Sequence, residues 1–430
     1  DAQFSASEAS ALKASVLGDG IPGLKKRNAA LRLGGLSVAA VSTTDVTRGA
    51  KVEAEAPFSR VRLRLYSEGG AATAFRVAVG ATETLASDNA NNLSEIVVGG
   101  TVYNAVRASE GAPGWVLATV GGATTFDWAG VASADNPKEL VTDWVDVRSV
   151  ARADGGTRPL LAFRVQHAGS TAGDWAGFSV ATWLSGAGAY PWFRAFLPYS
   201  VTGTGVTDLT LTTASVATTT LWCAVEFDYD VPAFTVLGIG DSHFEQHGGS
   251  AIGVHGNWLF QACANTSSPS RPIHYFNAGR SGGGVNDFTP NGLAEIARLA
   301  PKIVCYEPIT SNDGVPTDAT VRAAFSRIAK VFAACQAVSA KLVLVTGIPF
   351  TSSHTATEAA DALRLSITTH CAGLAAAGLV SHVDLEDILG TGAVPNRIQP
   401  ALLYDAVHFN QTAAELLAAR MGAKLNVLAV

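Results

Sequence analysis

The hydrophobic positions of this chain follow two different periods, one in each half of the sequence. Up to about residue 232, apolar and polar residues alternate, as in "RVRLRLYS", where Val61, Leu63 and Leu65 alternate with arginines. The same alternation recurs in "FRVAVG", "LLAFRVQ", "GFSVATWL", "DLTLTTASV" and "TTLWCAVEFDYD", with turn-forming residues between them. Segments of period two separated by turns predict antiparallel strands, so we expect an all-β, jelly-roll-like sandwich over residues 36–232.

The first part of the chain does not share this alternation. The segment "SASEASALKASVLG", residues 5–18, is compatible with a short helix that ends at Gly18. We therefore treat residues 1–35 as a separate N-terminal segment with helical character.

After Pro232 the pattern changes to apolar strands that alternate with long, alanine-rich helical stretches. Helices are expected at 318–338, at 356–378 and after Asn410, which suits a helix N-cap. This alternation predicts an α/β domain, residues 233–430, with a parallel sheet covered on both faces. Ligands of such sheets bind beyond the carboxyl ends of the strands. The five expected strands are 234–239, 273–277, 303–309, 341–348 and 379–385.

Residues of types that can take part in catalysis follow three of these strands and precede the last helix. Ser242 follows the first strand, Gly279 the second and Asn312 the third, while Asp405 and His408 stand three positions apart near the C-terminus. Each has a structural explanation by itself, as a helix cap, a turn residue or a structural histidine. Their joint occurrence at the edge expected to bind ligands favours a catalytic site.

These motifs together resemble the SGNH hydrolases of the GDSL esterase and lipase superfamily. The resemblance covers roughly residues 233–430 and implies a flavodoxin-like three-layer fold around a five-stranded parallel sheet. The sequence departs from the family pattern at two places: His243 stands where the family usually has leucine, and Thr310-Ser311 replaces the usual glycine before the asparagine. The matching blocks are "GDS" at 240–242, "NAGRS" at 277–281, "SND" at 311–313 and "DAVH" at 405–408.

The resemblance implies a role for each matching residue. Ser242 would be the nucleophile, His408 its general base and Asp405 the residue that orients His408. The oxyanion hole would consist of the backbone N–H groups of Ser242 and Gly279 and the side chain of Asn312. We expect no cofactor and no metal in this site.

Nearby residues offer competing interpretations. His243 and His247 have the spacing of a metal-binding pair on a helix, but a third ligand is not evident, so polar lining of the active-site mouth is preferred. Asp384 and Asp387 are rival acids at the end of the fifth strand. They lack a histidine at a productive spacing, which favours Asp405.

Composition narrows the classes of function. The net charge of −6 and the absence of a basic stretch disfavour nucleic-acid binding, and no apolar run is long enough for a transmembrane helix. The five cysteines lack a C-x-x-C pair, so a zinc ribbon is not expected and most should be buried thiols: Cys223, Cys263, Cys305, Cys335 and Cys371.

We interpret the chain as a serine esterase that removes short acyl groups, acetyl above all, from a polysaccharide or another small ester. The alternatives are a lipase or acyl-thioesterase of the same superfamily, or an inactive carbohydrate-binding surface or virion protein. Trp175, Trp183 and Trp192 could line a sugar-binding face or fill the core of the sandwich. On this interpretation we expect a secreted or extracellular protein. The oligomeric state cannot be inferred from the sequence.

Overall fold

A computed structural model of the protein describes most of the C-terminal half and a set of segments in the N-terminal half. The segment 5–18, His247, Trp183 and Trp192 lie outside the described residues, so the expectations for them are not addressed. The described residues are 28–31, 38–40, 46–68, 72–83, 95–98, 101–104, 107–109, 112–128, 138–153, 155–170, 174–179, 199–202, 215–216, 219–221, 223–245, 257–351 and 356–428.

The described residues before Pro232 form β-strands, as the period of two predicts. The strands are β1 (Asn28–Leu31), β2 (Val38–Ala40), β3 (Val46–Glu53), β4 (Phe58–Glu68), β5 (Ala72–Thr82), β6 (Glu95–Val98), β7 (Thr101–Asn104), β8 (Arg107–Ser109), β9 (Ala112–Pro113), β10 (Val116–Ala118), β11 (Phe126–Trp128), β12 (Lys138–Val141), β13 (Leu160–Ser170), β14 (Asp174–Ser179), β15 (Tyr199–Thr202), β16 (Ser215–Val216), β17 (Thr219–Leu221) and β18 (Cys223–Tyr229).

These strands assemble into two larger antiparallel sheets and a separate hairpin. One sheet has the order β1-β18-β4-β14-β17, with β12 also paired to β4 and β2 to β14. The other has the order β16-β15-β3-β13-β5-β8-β9, with β10 and β11 also paired to β5, and β6 pairs with β7. The apolar face predicted for β4 is confirmed, because Val61, Leu63 and Leu65 are fully buried.

The N-terminal segment is not helical throughout. Strand β1 lies within the segment 1–35, and Leu31 pairs with Val225 of β18 in an antiparallel ladder. Its apolar residue Ala29 is buried, so the strand belongs to the β-sheet part of the molecule. Residues 28–31 therefore pair with a strand that follows residue 35.

The C-terminal half contains the expected alternation of strands and helices. The sheet has the order β20-β19-β21-β22-β23, all parallel, which is the 2-1-3-4-5 order of flavodoxin-like folds. The elements are β19 (Phe234–Ile239), α1 (Ser242–Glu245), α2 (Trp258–Thr266), β20 (Ile273–Asn277), α3 (Val285–Leu299), β21 (Ile303–Tyr306), α4 (Asp318–Ala337), β22 (Lys341–Thr346), α5 (Glu358–Ala376), β23 (Ser381–Asp384), α6 (Glu386–Leu389) and α7 (Gln411–Leu428). Two 3₁₀ turns occupy Ser311–Asp313 and Pro400–Leu402.

Three of the five strands are shorter than the apolar runs that predicted them. Strand β21 ends before Pro308, which has no N–H to continue the ladder. Strand β22 ends before Gly347, whose φ of +77° takes the backbone out of the extended region. Strand β23 begins at Ser381 and not at Leu379 as predicted, because the N–H of Leu379 still donates to the carbonyl of Leu374 at the end of α5.

Helix packing completes the α/β part. Helix α2 packs against α7, while α3 packs against α4 and α4 against α5. The predicted cap of the last helix is confirmed, because Asn410 Oδ1 accepts the N–H of Ala413 at 3.1 Å. No helix among the described residues has the length and apolar character that crossing a membrane requires.

The β-sheet part and the α/β part share a continuous apolar core. Phe227 and Tyr229 at the end of β18 stack on His274 of β20 with ring centroids 5.5 and 5.6 Å apart. Four cysteines are free and buried, as expected: Cys263, Cys305, Cys335 and Cys371.

Candidate active site

Ser242 lies just beyond the carboxyl end of β19, an inner strand of the α/β sheet. Strand β19 is buried along its whole length, and the chain then turns at Gly240 and Asp241 into the short helix α1. Ser242 is 4% exposed. Neither its hydroxyl nor its backbone N–H has a hydrogen-bond partner among the described residues. Both groups are therefore available to a ligand.

Asp241, directly before Ser242, holds this turn together. Its carboxylate accepts the N–H of His243 at 2.8 Å, the side-chain amide of Asn312 at 3.1 Å and the hydroxyl of Thr310. Burial opposes its charge, but attraction to His243 and these hydrogen bonds lower its pKa. Asp241 is thus a buried carboxylate that braces the turn, and it does not contact His408.

Asp405 and His408 form a hydrogen-bonded pair near the C-terminus. Asp405 Oδ2 lies 2.8 Å from His408 Nδ1, while Oδ1 accepts the backbone N–H groups of Val407 and His408. Partial burial opposes ionisation of Asp405, but the hydrogen bonds from His408 and Val407 lower its pKa to about 2. The spacing does not arise from a helical turn, because residues 405–408 form a bend that Asp405 itself caps.

Among the described residues, Ser242 and His408 share no direct hydrogen bond. The contact between their two turns runs through His243. Its ring lies 4.5 Å from that of Phe409 and 6.1 Å from that of His408, measured between centroids. Hydrogen bonds between a nucleophile and its base commonly tighten only when substrate binds.

The arrangement does not support Gly279 as an oxyanion donor. The Gly279 N–H donates to Asn277 Oδ1 at 2.9 Å, and a Cβ at Gly279 would lie 2.5 Å from the backbone N of Glu245. Gly279 therefore serves close packing against helix α1. Of the loop 279–284, the N–H of Gly282 alone has no partner among the described residues.

Asn312 lies at the same sheet edge, in the 3₁₀ turn after β21. Its side-chain amide donates to Asp241 Oδ2 at 3.1 Å and to the carbonyl of Gly283 at 3.3 Å. Asn312 thus joins the segments that follow β19, β20 and β21. Its neighbour Asp313 is a turn residue, because its carboxylate accepts the N–H groups of Thr310 and Val285.

Two buried titratable residues of the site, His243 and Glu307, have contacts that the sequence did not predict. His243 is 3% exposed, so it does not form the polar lining of an active-site mouth that we expected. Glu307, at the end of β21, accepts the N–H of Asp241 at 3.2 Å. Burial and repulsion from Asp241 raise the pKa of Glu307 well above its usual range.

Asp241, His243 and Glu307 have side-chain atoms within 4.8 Å of one another. Their contacts are those of a hydrogen-bonded cluster, because His243 Nδ1 is directed at Asp241 Oδ1 at 3.0 Å. The imidazole nitrogen therefore presents a proton, and not a lone pair, to this cluster.

The rival acids of the fifth strand have partners away from His408. Asp384 Oδ1 accepts the N–H of Glu386 at 3.0 Å, and Asp387 pairs with Arg420 at 2.6 Å. A cavity of about 350 Å³ lies beside the other acid, Asp405. Its wall is largely apolar and consists of Thr391, Ala393, Pro395, Arg397, Ile398, Pro400, Leu403, Tyr404 and Asp405.

Comparison with known proteins gives structural similarities for less than half of the chain. A GDSL-like lipase from Bacteroides thetaiotaomicron is 15% identical over 45% of this chain and 88% of its own, with a TM-score of 0.34. A variant of an acetyl-xylooligosaccharide esterase from Geobacillus stearmophilus is 19% identical over 44% and 92%, with a TM-score of 0.33. A lipase/acylhydrolase from Enterococcus faecalis is 18% identical over 45% and 96%, with a TM-score of 0.32.

A lipolytic protein of the G-D-S-L family from Desulfitobacterium hafniense is also among the solved structures to which this chain is similar. No protein-family model matches the chain, and no curated protein matches it.

Proposed function

We propose that this protein is a serine ester hydrolase with Ser242 as nucleophile, His408 as general base and Asp405 as the residue that orients His408. One observation carries the proposal. Asp405 and His408 form a hydrogen-bonded pair on one turn, and His243 connects this turn to the turn that carries Ser242. The hydroxyl and the N–H of Ser242 have no hydrogen-bond partner among the described residues. This point lies outside the carboxyl ends of β19 and β21, where strand order reverses and such folds bind ligands.

In the proposed mechanism, His408 removes the proton from Ser242 Oγ as the oxygen attacks the ester carbonyl. The tetrahedral intermediate collapses, the C–O bond to the alcohol breaks, and the alcohol leaves with the proton from His408. Water, activated by His408, then attacks the acyl-enzyme and releases the carboxylic acid. Asp405 holds the Nδ1 proton and thereby leaves Nε2 to face Ser242.

The oxyanion is stabilised by backbone and side-chain donors at the same edge. The N–H of Ser242 is unengaged, and we assign the second donor to the N–H of Gly282 in place of Gly279. Asn312 serves as a third donor once one of its two present acceptors, Asp241 or the Gly283 carbonyl, is released. Such donors are each worth roughly 10²–10³ in rate.

The proposed substrates are short acyl esters, acetyl esters of a polysaccharide in particular. The cavity beside Asp405 has a volume of about 350 Å³, which is enough to hold a small chemical group such as a short acyl group. In this proposal the two antiparallel sheets are a jelly-roll-like β-sandwich domain, now extended to include β1, that binds or orients the polymer. Residues 233–430 form the catalytic domain, and the protein acts outside the cell.

The test compares Ser242→Ala with Ser270→Ala, an exposed serine outside the site. With p-nitrophenyl acetate, Ser242→Ala should lose turnover and should no longer be labelled by a fluorophosphonate, whereas Ser270→Ala retains both. Full activity of Ser242→Ala would overturn the assignment of the nucleophile. A wild-type protein without ester turnover or labelling would favour the inactive binding protein.

The substrate is tested separately. Wild-type protein should release acetate from acetylated polysaccharides and should turn over p-nitrophenyl acetate faster than longer acyl esters. A preference for long acyl chains would replace the deacetylase proposal with a lipase or acyl-thioesterase.

A further inference from the structure

His243 has hydrogen-bond partners that only accept. Its Nδ1 lies 3.0 Å from Asp241 Oδ1, and its Nε2 lies 3.1 Å from the carbonyl oxygen of Val407. A carboxylate and a backbone carbonyl offer lone pairs and no proton. For both contacts to be hydrogen bonds, both ring nitrogens must carry a proton, so the side chain is an imidazolium although it is 3% exposed.

The nearest compensating negative charge for His243 lies on its hydrogen-bonded neighbour. Asp241 carries it, since its carboxylate accepts hydrogen bonds from several donors around the turn. Glu307 is kept neutral by burial and by the charge of Asp241, which raise its pKa well above the usual range. The other titratable groups facing the ring are Asp405, whose charge also favours the imidazolium, and His408.

The two hydrogen bonds of His243 join the two halves of the proposed catalytic machinery. Asp241 directly precedes Ser242, and Val407 directly precedes His408. The His243 ring also packs against Phe409, directly after His408, with 4.5 Å between ring centroids. The placement of His408 relative to Ser242 therefore depends on this ring and on its two protons.

We propose that His243 is a positioning residue: a buried imidazolium that fastens the turn bearing His408 to the turn bearing Ser242. The role rests on the proposed esterase function, and His243 neither touches the substrate nor transfers a proton in the reaction. It acts only through the position of His408.

Loss of the Nε2 proton would release this connection. A neutral ring that keeps its Nδ1 proton for Asp241 turns a lone pair toward the lone pairs of the Val407 carbonyl. Burial opposes the charge of His243, but attraction to Asp241 and the hydrogen bonds outweigh it and raise its pKa. Because acceptors face both ring nitrogens, we expect the imidazolium at neutral pH, and kcat should fall as the pH rises through the raised pKa.

The protonation state is tested directly by ¹H–¹⁵N NMR of histidine-labelled wild-type protein, with His243→Gln to assign the signal. Both ring nitrogens of His243 should carry a proton at neutral pH. A neutral-imidazole spectrum for His243 at that pH would overturn the proposal. This measurement needs no substrate and remains informative if the protein proves not to be an esterase.

The positioning role is tested with His243→Leu, His243→Asn and His243→Gln. The control is His370→Gln, at a histidine of α5 whose ring contacts that of Phe325 in α4. His243→Leu should lower kcat by about 10- to 100-fold with little change in KM, because His408 is displaced without loss of a substrate contact. The labelling rate of Ser242 should fall in parallel. His370→Gln should behave as wild type.

The relative activities of the three His243 variants distinguish a positioning role of His243 from a packing role. A glutamine at position 243 can place a neutral donor near the Val407 carbonyl, whereas an asparagine reaches only Asp241. His243→Gln should therefore be the most active of the three variants. Its kcat should no longer fall at alkaline pH. Equal activity of all three variants, or wild-type kcat for His243→Leu in an active enzyme, would overturn the role of His243 and leave the esterase assignment intact. Absence of turnover and Ser242 labelling in the wild type would instead overturn the esterase assignment.

Discussion

The turn that carries Ser242 and the turn that carries His408 are held in different ways. Helix α1 is buried, and its last carbonyls accept hydrogen bonds from the side chains of Trp258, Tyr275 and Asn277. The turn of His408 is partly exposed: the side chain of Asp405 is 45% exposed, and its hydrogen bonds are to Val407 and His408. The proposed nucleophile is thus fixed by the core, whereas the proposed base is fixed by a local turn and by His243.

This difference predicts that mutations in the two turns differ in their effect on stability. A change in the exposed turn should act on catalysis, because little core packing is lost. A change in the buried turn should act on folding, because removing one member of a buried ion pair leaves the other uncompensated.

The largest effect is expected for Asp405→Asn. The amide no longer favours the tautomer with a proton on His408 Nδ1, so kcat should fall by about 10³- to 10⁴-fold, as in serine hydrolases generally. The free energy of unfolding, measured with denaturant, should change little. Asp387→Asn is the matched control, since Asp387 pairs with Arg420. If Asp387→Asn lost activity while Asp405→Asn stayed active, Asp387 would replace Asp405 as the acid of the proposed triad.

Asp241→Asn should lower stability strongly, and activity with it, because this carboxylate also holds His243. It leaves the buried His243 without its carboxylate, and we expect a loss of about 3–5 kcal/mol in the free energy of unfolding. Asp318→Asn, an exposed aspartate in the first turn of α4, should cost no more than about 1 kcal/mol. Equal losses in the two variants would contradict the buried ion pair.

The smallest effect is a pH window for stability. The lowered pKa of Asp241 gives stability that is present above its unfolded value of 3.8 and is lost as the pH falls through the folded pKa. The raised pKa of His243 gives stability that is fully present below 6.5 and is lost as the pH rises through the folded pKa. The difference in unfolding free energy between wild type and a variant with both Asp241→Asn and His243→Gln should therefore be greatest between about pH 4 and 6.5. A difference independent of pH would contradict these charges.

Much of the α/β part could be predicted because its signals are local. Strand β19 is a continuous apolar run, and its predicted bounds agree with the structure. The ends of β21 and β22 were placed too late because Pro308 and Gly347 act through backbone geometry within an apolar run. The pairing of β4 with β18 joins residues far apart along the chain, and alternation alone does not specify such partners.

The same distinction applies to the candidate site. Ser242, Asp405 and His408 could be proposed because their spacing and their position at strand ends are visible in the sequence. The segment "NAGRSGGG" contains several glycines, and the signal against Gly279 was Asn277, whose side chain often accepts the N–H two residues later. The role of His243 depends on Val407, 164 residues away, and no local pattern reveals that contact.

The antiparallel ladder between β1 and β18 has a consequence for synthesis of the protein on the ribosome. Strands β1 and β4 both pair with β18, whose residues are translated long after theirs. Their shared sheet therefore has an incomplete edge until residues 223–229 have left the exit tunnel, and unpaired strand edges are prone to association with other chains. Because β19 follows β18 almost immediately, completion of this sheet coincides with the start of the strand that leads to Ser242.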